Sequence, residues 1–127
     1  MILCHADKSG RVLTMSYGGH VGAEEMKRSF EEVQILMQGL KPEFLLLTDL
    51  SSLTSMDMAC AASLGDLMDL CSKNGMATVM RVIPDPSKDI GFDLISLFHH
   101  QPPIRTQNYK NLAEAIESLL VQSPPAP

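Results

Sequence analysis

The segment Phe44-Leu45-Leu46-Leu47-Thr48-Asp49-Leu50 constrains this chain more than any other. It is an apolar run ending in an acid, without the alternation that would give a strand one wet face. Such a run needs cover on both sides, which is the environment of a central strand in an α/β sheet. Crossover helices supply that cover, and the neighbouring sequence encodes two. From about Ala23 to Gln38, Met26, Phe30, Val33 and Met37 recur at helical spacing, and Gly39 with Pro42 mark the stop. From about Met58 to Ser72, one stripe collects Cys60, Leu64, Leu67 and Cys71, while Asp66, Asp69 and Lys73 lie opposite. Asn74-Gly75 ends that helix.

The remaining elements extend the same pattern. Residues 1–6 and 11–17 predict a hairpin through Lys8-Ser9-Gly10, after which Gly18-Gly19 is expected to break the chain. Met76 to Ile83 predicts a second buried strand. Asp85 as N-cap and Pro86 at the first helical position open a helix with Ile90, Leu94, Leu97 and Phe98 on its inner face, ending near His99-His100. A short strand around Ile104 to Asn108 precedes a last helix. Asn111 and Glu114 cap that helix as a box, with Leu112, Ala115, Ile116 and Leu119 facing inward. The order is ββαβαβαβα, an α/β fold whose central sheet is mainly parallel, with an N-terminal antiparallel hairpin and about four helices. Residues 1–122 form a single domain, and 123–127 form a disordered Pro-rich tail.

Composition narrows the function classes. The 127 residues are 45% hydrophobic, enough for one core without staples. A net charge of −5 with scattered basic residues argues against a nucleic-acid partner. The longest apolar stretches are too short to span a membrane. The opening Met1-Ile2-Leu3-Cys4-His5, interrupted by Asp7 and Lys8, is too short for a signal peptide. Three cysteines in no zinc spacing fit a reduced, cytoplasmic setting. No cofactor or metal is expected. Gly18-Gly19 is too short to cradle a phosphate, and His99 and His100 would point about 100° apart on a helix.

The stretch Leu45-Leu46-Leu47-Thr48-Asp49-Leu50-Ser51-Ser52-Leu53-Thr54-Ser55-Met56-Asp57 resembles the STAS domain of bacterial anti-sigma factor antagonists, in its SpoIIAA-like branch. That family joins an apolar strand, an acid, a short polar loop, a second acid and a helix. Asn111-Leu112-Ala113-Glu114-Ala115-Ile116 is similar to its closing helix. The resemblance implies a non-catalytic signalling module that docks a protein partner, a kinase- or phosphatase-like regulator or a second copy of itself. It also implies a phosphorylated serine, the third residue of an Asp-Ser-Ser-Gly pattern. This chain has Asp57-Met58-Ala59-Cys60 instead, so the switch position carries no hydroxyl.

The expected docking segment is the strand–loop–helix region 49–64, with Asp49, Ser51, Ser52, Ser55, Met56, Asp57, Met58 and Ala59 as its partner-binding residues. In that reading 49–57 is a loop. Asp57 directly precedes the helix and is expected to cap it, and Asp49 to bond a nearby amide. Met56 and Met58, if exposed, would suit an adaptable surface. Cys60 falls on the inward stripe, which favours an inert thiol over a reactive one. The alternative function is a small-molecule, lipid-like binder with an apolar cavity. An enzyme using Asp49, Asp57 or His99 would need those groups to converge in one cleft.

Overall fold

The computed structural model describes residues 1–82 and 105–122. The helix expected on Ile90, Leu94, Leu97 and Phe98, the His99-His100 pair and the Pro-rich tail lie outside the described residues. The elements in chain order are β1 (Ile2–Ala6), β2 (Val12–Val21), α1 (Ala23–Leu36), a 3₁₀ turn (Met37–Gly39), β3 (Leu45–Met56), α2 (Cys60–Lys73), β4 (Thr78–Val82), β5 (Arg105–Tyr109) and α3 (Leu112–Gln122). The strands form one sheet in the order β1-β2-β3-β4-β5. Strands β1 and β2 pair antiparallel, and β2 to β5 run parallel. This is the mainly parallel α/β sheet with an N-terminal hairpin that the sequence predicts.

The apolar run holds the centre and is covered on both faces. Leu46 and Leu50 pack under α1 and α2 with Leu13, Met15, Met26, Val33, Leu64, Leu67 and Cys71. Leu47 turns to the other face, where Met80, Val82 and Ala115 of α3 meet it. In α1, Met26 and Val33 are fully buried as the periodicity predicts. Ser29 joins them by donating its hydroxyl to the Met26 carbonyl at 2.8 Å, whereas Phe30 is half-buried. Arg81 is buried between β3 and β5, and its Nε donates to Asn108 Oδ1 at 3.0 Å.

Three expectations are corrected. First, Gly18-Gly19 does not break the chain: β2 continues to Val21. Gly19 has φ +63°, a backbone conformation open to glycine at little cost, so the pair bends the strand without ending it. Second, 49–57 is not a loop, because β3 runs unbroken to Met56. Twelve residues of β3 oppose ten of β2, and the surplus is absorbed at irregularities beside Ser16/Gly18 and Gly19/His20. This explains why the segment does not read as a strand. Its buried residues Leu50, Leu53 and Met56 are three apart, and one bulge per interval returns each to the same face. Third, the inner face of α3 is narrower than expected. Ala115 is buried and Leu119 half-buried, but Leu112 and Ile116 are 37% and 41% exposed. The helix lies against β4 and the adjacent β5, and it meets them through Ala115, Ser118 and Leu119, with Ser118 Oγ accepting the Tyr109 hydroxyl at 2.6 Å. At its start, Asn111 Oδ1 accepts the Glu114 N–H at 2.9 Å as predicted.

The β1–β2 turn is organised by one carboxylate. Asp7 accepts the N–H groups of Arg11 and Val12 at 2.8 and 3.0 Å, together with the Ser9 hydroxyl. Partial burial pushes the Asp7 carboxyl up, but the Ser9, Val12, Arg11 and Gly10 donors outweigh it and hold its pKa below the ordinary carboxylate value. Gly10 completes the turn at φ +72°, where a Cβ would stand 2.2 Å from the Gly39 carbonyl oxygen. A depressed carboxylate pKa contributes stability above the unfolded-state value and loses it as pH falls through the folded value. Asp7→Asn is therefore expected to cost about 1 kcal/mol at neutral pH. In thermal melts the gap between variant and wild type should close as the pH is taken below about 4.

Candidate functional site

The parallel strands β2 and β3 end side by side, and each feeds a helix on the same face of the sheet. The N-cap of α1 is Gly22, that of α2 is Ala59, and neither helix receives a side-chain cap. The two ends are tied through one carbonyl. Val21 O accepts the Asp57 N–H at 3.0 Å and the Cys60 thiol at 3.6 Å. The carboxyl end of a parallel sheet, with helix N-termini around it, is where open α/β folds place their recognition sites.

The expected site residues divide between two levels. Asp49 and Ser51 stay within the sheet, where Asp49 Oδ1 accepts both the backbone N–H and the hydroxyl of Ser51, at 3.0 and 2.6 Å. Asp49 thus makes the local structural bond expected of it. Met56 is not exposed: at 7% exposure it is part of the core under α2, because the second bulge turns it inward. Ser52 is exposed beside Gly18. Ser55, Asp57, Met58 and Ala59 share the rim, with Ser55 half-buried, the other three exposed and Met58 64% exposed.

Asp57 does not cap α2 with its side chain. Its carbonyl accepts the Cys60 N–H at 2.9 Å, which closes the turn into the helix. Its carboxylate turns instead to a residue that sequence reasoning missed. Asp57 Oδ1 lies 3.0 Å from His20 Nε2, and His20 Nδ1 lies 2.6 Å from Ser55 Oγ. His20 and Ser55 are direct partners across β2 and β3, brought level by the surplus residue of β3 between Leu53 and Ser55. Asp57 Oδ2 also packs against Gly22, where a Cβ would come within 3.4 Å, so the carboxylate rests against the start of α1. The signal for His20 was concealed by Gly18-Gly19: a strand that ends there never delivers the histidine to the rim.

Cys60 backs this site but does not enter it. The thiol is fully buried, and burial, with the nearby Asp57 and Glu25 carboxylates, pushes its pKa up despite an opposing bond to the Asp57 backbone. Burial likewise pushes Cys4 and Cys71 up to about 12. Away from the rim, a cleft of about 210 Å³ between β1 and α1 is lined by Ile2, Glu25, Arg28, Ser29 and Glu32. Three charged walls and a small volume make it a poor match for an apolar ligand. Among the described residues no group of acids, histidines and cysteines is arranged for a metal, and no helix is long and apolar enough to cross a membrane.

The architecture has close counterparts among solved structures. The anti-sigma factor antagonist SpoIIAA in its unphosphorylated form superimposes over 97% of this chain and 100% of its own, with a TM-score of 0.63 and 10% identity. This chain has the SpoIIAA-like fold. The phosphorylated form of the Bacillus cell fate determinant SpoIIAA matches over 94% of this chain and 99% of its own, with a TM-score of 0.62 and 11% identity. An uncharacterised DUF3478-family protein with a SpoIIAA-like fold, from Shewanella loihica, matches over 94% and 92%, with a TM-score of 0.60 and 16% identity. No protein-family model and no curated sequence matches the chain. At 10–16% identity the likeness is one of fold, and function must be argued from the site.

The raised thiol pKa values give a direct test, with Cys60 and Cys71 buried and Cys4 half-buried. In the native protein at about pH 8, Cys4, Cys60 and Cys71 should react with a disulfide reagent far more slowly than ordinary cysteines of pKa about 8.5. The same protein in denaturant should titrate fully. A rapidly modified Cys60 in the folded protein would show that the β2–α2 junction opens.

Proposed function

We propose that this chain is a regulatory protein-recognition module that does not catalyse a reaction, and that it docks a protein partner through the end of β3 and the start of α2, residues 49–64. The observation that carries this reading is the rim itself. Asp57, Met58 and Ala59 stand exposed together, on backbone fixed by the Val21 carbonyl and by the β2–β3 pairing. A charged group, a flexible apolar side chain and an uncapped helix start on a rigid support suit a protein contact. Ser52 and Ser55 flank the contact, while Asp49, Ser51 and Met56 support it from within the sheet. The SpoIIAA-like fold, whose named example is an anti-sigma factor antagonist, supports the same reading.

The partner is a kinase- or phosphatase-like regulator, or a second copy of this chain, in a cytoplasmic setting. The phosphoserine switch of the STAS pattern is lost, because Ala59 holds its position and has no hydroxyl to modify. Contact with the rim is then constitutive or is controlled by other chemistry. The lipid-like binding alternative gains no support from the charged β1–α1 cleft.

The test is affinity capture with the wild-type chain, mass-spectrometric identification of the retained protein, and titration of that protein in purified form. Asp57→Lys and Ala59→Glu should each fold normally, since both positions are exposed. Each should weaken the purified complex at least about tenfold, the loss of 1.4 kcal/mol or more expected at the centre of an interface. Folded variants that retain the partner at unchanged affinity would place the interface elsewhere.

A further inference from the structure

The rim holds a hydrogen-bonded constellation that partner docking does not explain. Ser55, His20 and Asp57 are linked in series, Oγ to Nδ1 at 2.6 Å and Nε2 to Oδ1 at 3.0 Å. The carboxylate fixes the tautomer: it can only accept, so Nε2 carries a proton. In the neutral ring Nδ1 is then an acceptor, and the bond from Ser55 is Oγ–H donating to Nδ1. A hydroxyl donating to an imidazole, itself oriented by a carboxylate, is the arrangement that makes serine a nucleophile at neutral pH.

We propose that Ser55 is an activated nucleophile that accepts an acyl group from an activated ester, with His20 as general base and Asp57 as the positioning residue. The Ser55 Oγ attacks the carbonyl carbon while its proton passes to His20 Nδ1. The tetrahedral adduct collapses as the bond from carbonyl carbon to leaving-group oxygen breaks, and His20 returns the proton to that oxygen. The products are an ester on Ser55 and a free alcohol, with no oxidant, metal or second reactant required. Single acylation modifies the protein and is not turnover. The chemistry stands apart from the docking reading and would hold for a rim that binds no partner.

Three further features favour the step. Ser55 is half-buried whereas His20 and Asp57 are about half exposed, so a small acyl donor can reach the hydroxyl. The backbone N–H groups of Met58 and Ala59, directly after Asp57, have no hydrogen-bond partner among the described residues. They lie at the positive end of α2, where developing negative charge on a carbonyl oxygen is stabilised. Finally, β3 departs from regular pairing at the one place that sets Ser55 level with His20, and bulges of this kind commonly re-aim side chains at active sites.

The test uses the full chain with p-nitrophenyl acetate, read by intact mass and peptide mapping. A single acetyl group is expected on Ser55, formed well ahead of any on the exposed Ser72 of α2. His20→Gln should slow acetylation of Ser55 by about 10²-fold, the low end of a general-base contribution. Asp57→Asn should slow it less, and Asp57→Glu should recover part of what Asp57→Asn loses, which a purely structural role would not show. On the wild-type protein alone, an alkyl fluorophosphonate should phosphonylate Ser55 with loss of fluoride and block later acetylation. Acetyl groups on lysines or His20 with Ser55 bare, Ser55 reacting no faster than Ser72, or an unchanged rate in folded His20→Gln would each overturn the proposal. These rates are read on the wild-type chain and its His20 and Asp57 variants alone, so a failure to capture any partner would leave them untouched, and the two readings fail separately.

Discussion

The fold depends on the need of β3 to bury apolar side chains on both faces. Leu46 and Leu50 require cover from one side and Leu47 from the other, so helices must lie above and below the strand. Each fully buried leucine contributes roughly 1.5–3 kcal/mol, and no alternative placement of this segment recovers that. Right-handed crossovers then put α1 and α2 on one face, and their N-termini meet at the carboxyl ends of β2 and β3. The rim is therefore a by-product of burying the core.

How far the sequence disclosed this structure depends on which physical signal each element carries. Periodicity and continuous burial made β3's first half, α1, α2 and β4 legible, and the capping pattern found the start of α3. The site was less legible because its residues obey no period. Leu50, Leu53 and Met56 are spaced for neither a strand nor a helix, and only the bulges reconcile them with one buried face. Gly18-Gly19 carries every local mark of a terminus, and pairing across the sheet overrides it. Asp57 shows the limit of local rules most clearly. Its position suits a cap, but a histidine 37 residues earlier in the chain takes its carboxylate.

The comparison with SpoIIAA informs at the level of the fold. It accounts for the element order across nearly the whole chain, including the hairpin and the parallel strands. Ala59, for its part, stands at the exposed start of a helix that receives no side-chain cap. The hydrogen-bonded side chains of this rim lie mainly on the strands that precede the helices. Ser55 lies on the sheet side of Asp57, and its partner His20 comes from β2.

The two bulges in β3 separate what folds from what acts. Were one residue removed between Leu50 and Leu53 and another between Leu53 and Met56, the inward side chains would fall into the ordinary two-residue period and keep the same face buried. The sheet would close as a regular parallel pair of equal lengths. Which residue went would decide the rim: without Ser55 the histidine would stand level with Thr54, and without Thr54 it would still meet Ser55. Those two surplus residues are the part of the chain that the core does not ask for.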